Sequence, residues 1–496
     1  MAQPRTFAAI DLGATSGRVM LSRFDGERLS LEEVHRFPNE PVSYNGGLHW
    51  NMPGLWQQIR TGLNTLGSFG VERIESIGVD SWGVDYALLG EGGALLENPY
   101  HYRDARTDGV MSTVCREVGT ERIYRQTGVQ FMPINTLYQL YAASRRTARL
   151  LAAADHLVTI PDLVNFWLTG TIACEYTNAS TTQFLSGETR LWAWELLRDL
   201  AIPTHFLSQI VPPGTVLGPL LRGVVSAPAL SGAAVVAPAC HDTGSAVASV
   251  RAGGNTAFLS SGTWSLLGTE MQEPVVTALA RELNFTNEGG VCGGIRLLKN
   301  ITGLWLLEGC RKRWMEGTWT ELLSSAYGAA PFRSLVDPDD AEFLRPDDMT
   351  AAIDRFCVQT NQPVPRSTGE YVRTVLESLA LKYRVVLDQL EAVAGRRFLT
   401  VRVIGGGARN DVLNRFTANA TGRAVIAGPA EATAFGNVAM QMLAGGCVRT
   451  LDEARDIIEH SQTSVQFEPS ASSQWDAAYE DFRGILQQRR ASHLTV

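Results

Sequence analysis

The chain has 496 residues, with 43 Lys plus Arg against 51 Asp plus Glu, a formal net charge of −8 and 45% apolar residues. That length is long for one core and predicts two large domains, and the acidic balance offers no basic surface for nucleic acid. The seven cysteines, at 115, 174, 240, 292, 310, 357 and 447, are odd in number and contain no CxxC pair, which argues for free thiols in a reducing, cytoplasmic compartment and against a zinc site.

Membrane and export signals are not expected. Phe7 to Ile10 is too short an apolar run to serve as a signal peptide, and the longest uncharged span, residues 223–240, is broken by Pro228 and Pro238. The partners should be small molecules.

Residues 7–18 read FAAIDLGATSGR. Phe7 to Ile10 have the pattern of a buried strand, Val19 to Phe24 that of its hairpin partner, and the turn between them is made of small residues. Free amides in such a turn can cradle phosphate oxygens. Asp11 faces the same space, where a carboxylate could hold a magnesium ion through its water shell. An ordinary glycine-rich hairpin remains the alternative.

Asp80, Trp82 and Asp85 alternate, which on a strand would place two acids and an aromatic ring on one face toward a sugar, or else on a solvated strand edge. Arg103, Asp104 and Arg106 read either as a surface charge cluster or as a pocket wall. His35, His49 and His101 have no metal-ligand spacing and are expected to be structural.

Residues 233–245 read AAVVAPACHDTGS. The apolar run suits a short buried strand and the small residues after Thr243 a helix start. Asp242 is then either a helix cap or a carboxylate placed to take a proton from a substrate hydroxyl. The first domain would run to about Val250, with residues 251–255 as a hinge because Gly253 and Gly254 absorb dihedral change cheaply. The second would start at Thr256.

Residues 256–268, TAFLSSGTWSLLG, repeat the first hairpin's design around Ser260, Ser261, Gly262 and Thr263. Two such hairpins imply an ATP-using fold built from two related halves. A Walker loop is absent, since none of Lys299, Lys312 and Lys382 follows a glycine. Residues 317–370 carry the weakest pattern and suggest an irregular insertion. A helix over 368–393 is predicted to open on a capping box of Ser367 and Glu370 and to end at Gly395. In LTVRVIGGGARND (399–411) a strand ends in Gly405, Gly406 and Gly407, where a flat ring or phosphate could approach the backbone. Trp475, Tyr479, Phe482 and Leu486 form one stripe of a last helix.

These stretches carry a resemblance. DLGATSGRVML (11–21), IGVDSWGVDYALL (77–89), YRDARTDG (102–109), QTGVQFMPINTLYQL (126–140), PDLVNFWLTG (161–170), EYTNASTTQF (175–184), HDTGSAV (241–247), LSSGTWSLLG (259–268), NFTNEGG (284–290), LKNITGLWLLE (298–308) and VIGGGARN (403–410) resemble the FGGY family of carbohydrate kinases, from about residue 6 to at least residue 445. The resemblance implies an actin-like, ribonuclease H-like α/β fold of two domains, each with a central mixed sheet, and an active-site cleft between them.

The same resemblance makes Asp242 the proton acceptor, with His241 and Thr243 lining the sugar pocket, Gly83 touching the sugar through its backbone, and Asn300 reaching that pocket or the transferred phosphate. Ala14, Thr15, Ser16, Gly17 and Arg18 would meet the nucleotide phosphates, Thr263 would meet them from the other side, and Gly405, Gly406 and Gly407 would meet the adenosine. Glu308 stands where glutamine is common and puts an acid beside the nucleotide. Cysteine pairs proposed near the C-terminal domain of a relative are absent.

WGVDYALL, LSSGTWSL and KNITGLWLL belong to one branch of the family. They imply ATP, Mg²⁺ and L-rhamnulose going to ADP and L-rhamnulose 1-phosphate. Alternatives are a kinase for another ketose or polyol, such as L-fuculose or L-xylulose, or, in another class, a non-catalytic sugar sensor or an actin-like ATPase.

Overall fold

The computed structural model describes residues 4–314, 318–470 and 473–494. The chain divides into two compact units, one of residues 1–251, 270–297 and 431–463, the other of residues 252–269, 298–430 and 464–496. The chain therefore leaves and re-enters each unit.

The first unit is built on β1 (Arg5–Leu12), β2 (Ser16–Phe24), β3 (Leu29–Pro38), β4 (Ser76–Ser81), β5 (Thr215–Pro219) and β6 (Ala234–Ala237), in the order β5-β6-β4-β1-β2-β3. β1 and β2 form the expected antiparallel hairpin, while β4 pairs parallel with both β1 and β6. Phe7 to Ile10 are all buried, as an uninterrupted apolar run requires of a central strand covered on both faces. One cover is the helix Ala432–Ala444, whose Phe435, Val438, Ala439 and Met442 pack on Phe7, Ala9 and Met20. That helix touches the helix Asp242–Ala248 at Gly436, where a Cβ would lie 1.7 Å from Ser245 O.

The second sheet uses β7 (Thr256–Ser261), β8 (Trp264–Met271), β9 (Thr286–Gly289), β10 (Ile295–Thr302), β11 (Thr400–Ile404), β12 (Ala424–Ala427) and β13 (Val465–Phe467), in the order β9-β10-β8-β7-β11-β12-β13. β9 and the start of β10 belong to the first unit. β7 and β8 form the second antiparallel hairpin, and β11 runs parallel to both β7 and β12. Each hairpin thus has two successive parallel strands beside it, closed by an antiparallel edge strand, β5 or β13. The two-halves expectation is a property of the topology.

Several local expectations change. The helix Thr368–Ala394 ends at a left-handed Gly395 and Ser367 accepts from Glu370 N, but Glu370 returns its carboxylate to Arg366 N at 2.7 Å, so the reciprocal box does not close. Residues 318–370 are less irregular than their pattern suggests: they carry the helices Trp319–Ser325 and Met349–Gln359, and residue 317 lies outside the described residues. The last helix, Ser473–Leu494, buries Trp475, Tyr479, Phe482 and Leu486 as its stripe requires. All seven cysteines are free thiols. No described helix is long and apolar enough to cross a membrane.

Candidate active site

β6 ends at Ala237, and after four intervening residues the helix Asp242–Ala248 begins. His241, not Asp242, is the N-cap, and it makes no side-chain cap bond. Asp242 is the first helical residue, and its Oδ1 accepts from Thr243 N at 2.5 Å and from Thr243 Oγ1 at 3.2 Å. Among the described residues Oδ2 takes no hydrogen bond. Burial raises the Asp242 pKa, His241 counteracts this and the charge of Asp11 adds to it.

The segment before Asp242 is fastened from below. Cys240 N donates to Glu175 Oε2 at 3.0 Å and His241 N to Thr177 Oγ1 at 3.1 Å, while Thr177 Oγ1 donates to Glu175 Oε2 at 2.6 Å. Glu175 is fully enclosed, and burial pushes its pKa up to about 8. His241 Nε2 and Thr243 both approach Oδ1 of the carboxylate, and both residues are buried.

Asp11 lies on β1 opposite Arg18 of β2 and beside Asp80 of β4, as the register dictates. Arg18 grips Asp11 Oδ2 with Nε at 3.0 Å and Nη2 at 2.8 Å, and its Nη1 pairs with Glu431. Burial works against the Arg18 charge, but Asp11 and Glu431 hold its pKa above the ordinary arginine value. Asp80 is fully buried and bonded by Asn437 Nδ2 at 2.6 Å. Burial, then the charge of Asp11, pushes its pKa well above the usual carboxylate range. In the turn, Gly13 N bonds Ser16 O at 2.9 Å and Asn39 clasps Gly13 O and Thr15 O. Gly17 is a packing glycine, since a Cβ there would lie 2.3 Å from the Phe37 ring.

The single-face expectation for Asp80, Trp82 and Asp85 is corrected. β4 stops at Ser81, and Val84 has a φ of +67°, so Trp82 and Asp85 belong to a turn. There Asp85 accepts from Trp50 Nε1 at 2.6 Å, Trp82 Nε1 at 3.0 Å, Gln139 Nε2 at 2.9 Å and Tyr102 N at 3.2 Å. Trp50 packs at a tilt against Trp82 and stacks on His101, with centroids 4.1 and 4.2 Å apart. Burial lifts Asp85 to about 6, against the side-chain donors Gln139, Trp50 and Trp82 and the charge of Arg106. None of the three residues is solvated, so the strand-edge alternative falls. Gly83 faces Thr181, which would lie 2.9 Å from a Cβ there, and Thr181 Oγ1 accepts from Val84 N at 3.0 Å.

Arg103, Asp104 and Arg106 are buried rather than a surface cluster. Arg106 lies 3.7 Å over the Tyr100 ring and donates to Gln139, while Asp104 accepts from Leu48 N. His35 meets Gln58, and His49 stacks between Tyr44 and Tyr100.

In the second unit, Thr263 closes the β7–β8 turn and donates to both oxygens of Glu308, at 3.2 and 3.3 Å, from the start of the helix Trp305–Trp314. After β11, Gly405 has a φ of +80°, a Cβ on Gly407 would lie 2.1 Å from Ser261 Oγ, and one on Gly406 would meet nothing within 4 Å. Gly406 is therefore the open point of the loop, and Gly407 the packed one. Asn300 is half-buried on β10.

Residues 6–248 match the N-terminal domain, and residues 257–445 the C-terminal domain, of the FGGY family of carbohydrate kinases. The chain belongs to that family. Among curated relatives, a rhamnulokinase of Bacteroides thetaiotaomicron is 45% identical over 97% of this kinase and 100% of its own length. One of Pectobacterium carotovorum is 41% identical, over 98% of each chain. Solved structures of a gluconate kinase and a ligand-bound xylulose kinase from Lactobacillus acidophilus each match with a TM-score of 0.79 at 17% identity; the alignments cover 99% and 98% of this kinase and 98% of each of those chains. They show the two-domain α/β fold with a mixed sheet in each half. The kinase phosphorylates a sugar at the expense of ATP.

Sequence reasoning passed over Glu288, Arg296, Glu431 and Asn437. Arg296 alone left a signal, a cation inside the apolar run IRLL of β10.

Proposed function

We propose that the chain phosphorylates L-rhamnulose on its 1-hydroxyl, giving L-rhamnulose 1-phosphate and ADP, in the cytoplasm. The observation that carries the substrate is full-length identity of 40–45% to relatives named rhamnulokinase.

Asp242 serves as the general base. The transferred phosphoryl group needs little covalent help from protein, so positioning and charge stabilisation dominate. The sugar hydroxyl loses its proton to Asp242, its oxygen forms a bond to the γ-phosphorus, and the bond from that phosphorus to the β,γ-bridging oxygen breaks, releasing ADP. Two features support the role: Oδ1 is already engaged by Thr243 while Oδ2 is open, and the raised pKa brings the carboxylate nearer working pH. His241, Thr243, Gly83 and Asn300 are assigned to the sugar and the transferred phosphate.

Residues 14–18, Thr263, Glu308 and residues 405–407 are assigned to the nucleotide. Arg18 acts through Asp11 and Glu431, to which its guanidinium is committed. A magnesium ion fits beside Asp11, because Arg18 occupies Oδ2 and leaves Oδ1 to a hydrated cation. When bound, the ion neutralises charge on the nucleotide phosphates.

The test is ADP release at fixed ATP and magnesium with L-rhamnulose, L-fuculose, L-xylulose, D-xylulose, L-ribulose and glycerol. L-rhamnulose is expected to give the highest kcat/KM. A higher value for glycerol or D-xylulose overturns the substrate, and ATP hydrolysis indifferent to sugar returns the ATPase alternative.

A further inference from the structure

The His241 ring stands between two carboxylates, with a buried guanidinium behind it. Nε2 is 3.4 Å from Asp242 Oδ1, Nδ1 is 3.2 Å from Glu288 Oε2, and Arg296 Nη2 lies 3.1 Å from the same Nδ1. Glu288 is the last residue but one of β9 and Arg296 the second of β10. The Arg296 side chain is 1% exposed, donates from Nε to Gly289 O at 2.8 Å, and sits 3.3 Å from Glu288 Oε2.

A guanidinium has donors only. Nδ1 can meet Arg296 Nη2 only with its lone pair, so a neutral ring carries its proton on Nε2, the nitrogen that faces Asp242. The opposite tautomer would aim Nδ1–H at Glu288 and turn a bare Nε2 toward the negative oxygen of Asp242. Pairing between Arg296 and Glu288 weakens that competitor. From the other elements around the ring, Thr177 Oγ1 takes the His241 backbone N–H, and Glu175 is spent on Cys240 N and Thr177.

We infer that Arg296, with Glu288 as its counter-ion, is a positioning residue that fixes His241 as the Nε2–H tautomer, so that this N–H secures Asp242 Oδ1 and leaves Oδ2 to take the sugar's proton. The inference rests on the reading of Asp242 as the base. The 3.4 Å separation is long for a hydrogen bond in the free protein and shortens with substrate, as catalytic contacts commonly do.

The tautomer is read directly from ring ¹⁵N shifts of the full-length protein labelled at histidine, with His241 assigned by its loss in His241→Gln. Wild type is expected to show the proton on Nε2 at neutral pH. Arg296→Met should move it to Nδ1 and lower kcat about tenfold or more while the sugar KM changes less than about threefold. Glu288→Gln removes the competitor but keeps the donor, so it should retain the Nε2–H signature and most of kcat, a contrast that a merely structural pair would not give. Should Arg296→Met fail to fold, the wild-type spectrum still decides: a proton on Nδ1, or on both nitrogens, overturns the inference. Asp242→Asn separates the two readings, because a near-normal kcat there removes the base and leaves the tautomer standing, whereas a wild-type Nδ1–H removes the tautomer and leaves the base.

Discussion

The two units share a sheet plan but differ in how most of their buried acids are held. At the first hairpin β1 carries Asp11, cross-strand from Arg18, whereas at the second the matching turn follows Ser260, cross-strand from Leu266. Buried acids of the first unit are held mostly by neutral donors: Asp85 by two indoles, an amide side chain and a backbone N–H; Asp162 by Thr159 and Glu175 N; Glu175 by Thr177 and backbone amides. Burial raises them to about 6, 7 and 8. In the second unit buried charges meet counter-charges, Lys382 with Asp337 and Asp339 at 2.7 and 2.9 Å, and Arg373 with Glu377 at 2.7 Å. Neutral cages fix the direction of a buried carboxyl while burial favours its uncharged form. Ion pairs fix a fold and leave little net field.

The sharpest way to break this contrast is to replace the polar residue at the matching position of each hairpin in turn. Asp11→Asn should lower kcat on the order of 10²-fold, because it removes the carboxylate assigned to the hydrated magnesium ion and leaves Arg18 one counter-charge short, while Ser260→Ala at the matching position should cost less than about threefold. Steady-state kinetics with L-rhamnulose and ATP measures both, and equal losses would mean that the hairpins are not electrostatically distinct.

A second test uses pH. The raised pKa of Asp85 means that the folded state binds its proton more tightly than the unfolded chain, so this group's stabilisation is greatest below pH 4 and is lost as pH rises through about 6. Relative to Asp85→Asn, wild type should therefore gain up to about 3 kcal/mol between pH 7 and pH 4 in denaturant titrations. Asp337→Asn, in the ion-paired unit, should instead be destabilised at both ends of that range, since Lys382 keeps its charge and loses a partner. A flat Asp85 difference would refute the neutral-cage reading.

The glycines sharpen the comparison at the loop assigned to the nucleotide. Gly407→Ala forces a methyl into Ser261 and should cost about 1–3 kcal/mol of stability. Gly406→Ala has open space and should stay within about 0.5 kcal/mol. Any loss of ATP affinity in the Gly406 variant, measured calorimetrically, then reports ligand contact rather than misfolding.

The smallest expected effect is at Glu308. Glu308→Gln keeps an acceptor for Thr263 and should tighten ATP by about two- to fivefold at low salt, shrinking as ionic strength rises. No change at either salt would place the side chain away from the phosphates.

Both hairpins, the strand before Asp242 and the long helix ending at Gly395 were legible because each is written in local periodicity and punctuation: apolar runs, small-residue turns and a C-terminal glycine. Asp242, Thr263 and the glycine loop could be singled out for the same reason, as each lies within a few residues of a strand end. Trp82 and Asp85 were misplaced because the strand stops at Ser81 and Asp85 is out of step with the period of two that Asp80 and Trp82 would share, and only the left-handed Val84 and the Trp50 cage turn Asp85 inward. Glu431 reaches Arg18 across 413 residues, and Asn437 reaches Asp80 across 357. By itself the sequence determined where strands, turns and small residues lie, because those depend on neighbours along the chain. Which carboxylates are caged, paired or open was decided by the tertiary structure alone, because burial and partner identity are set by segments that only folding brings within a few ångströms.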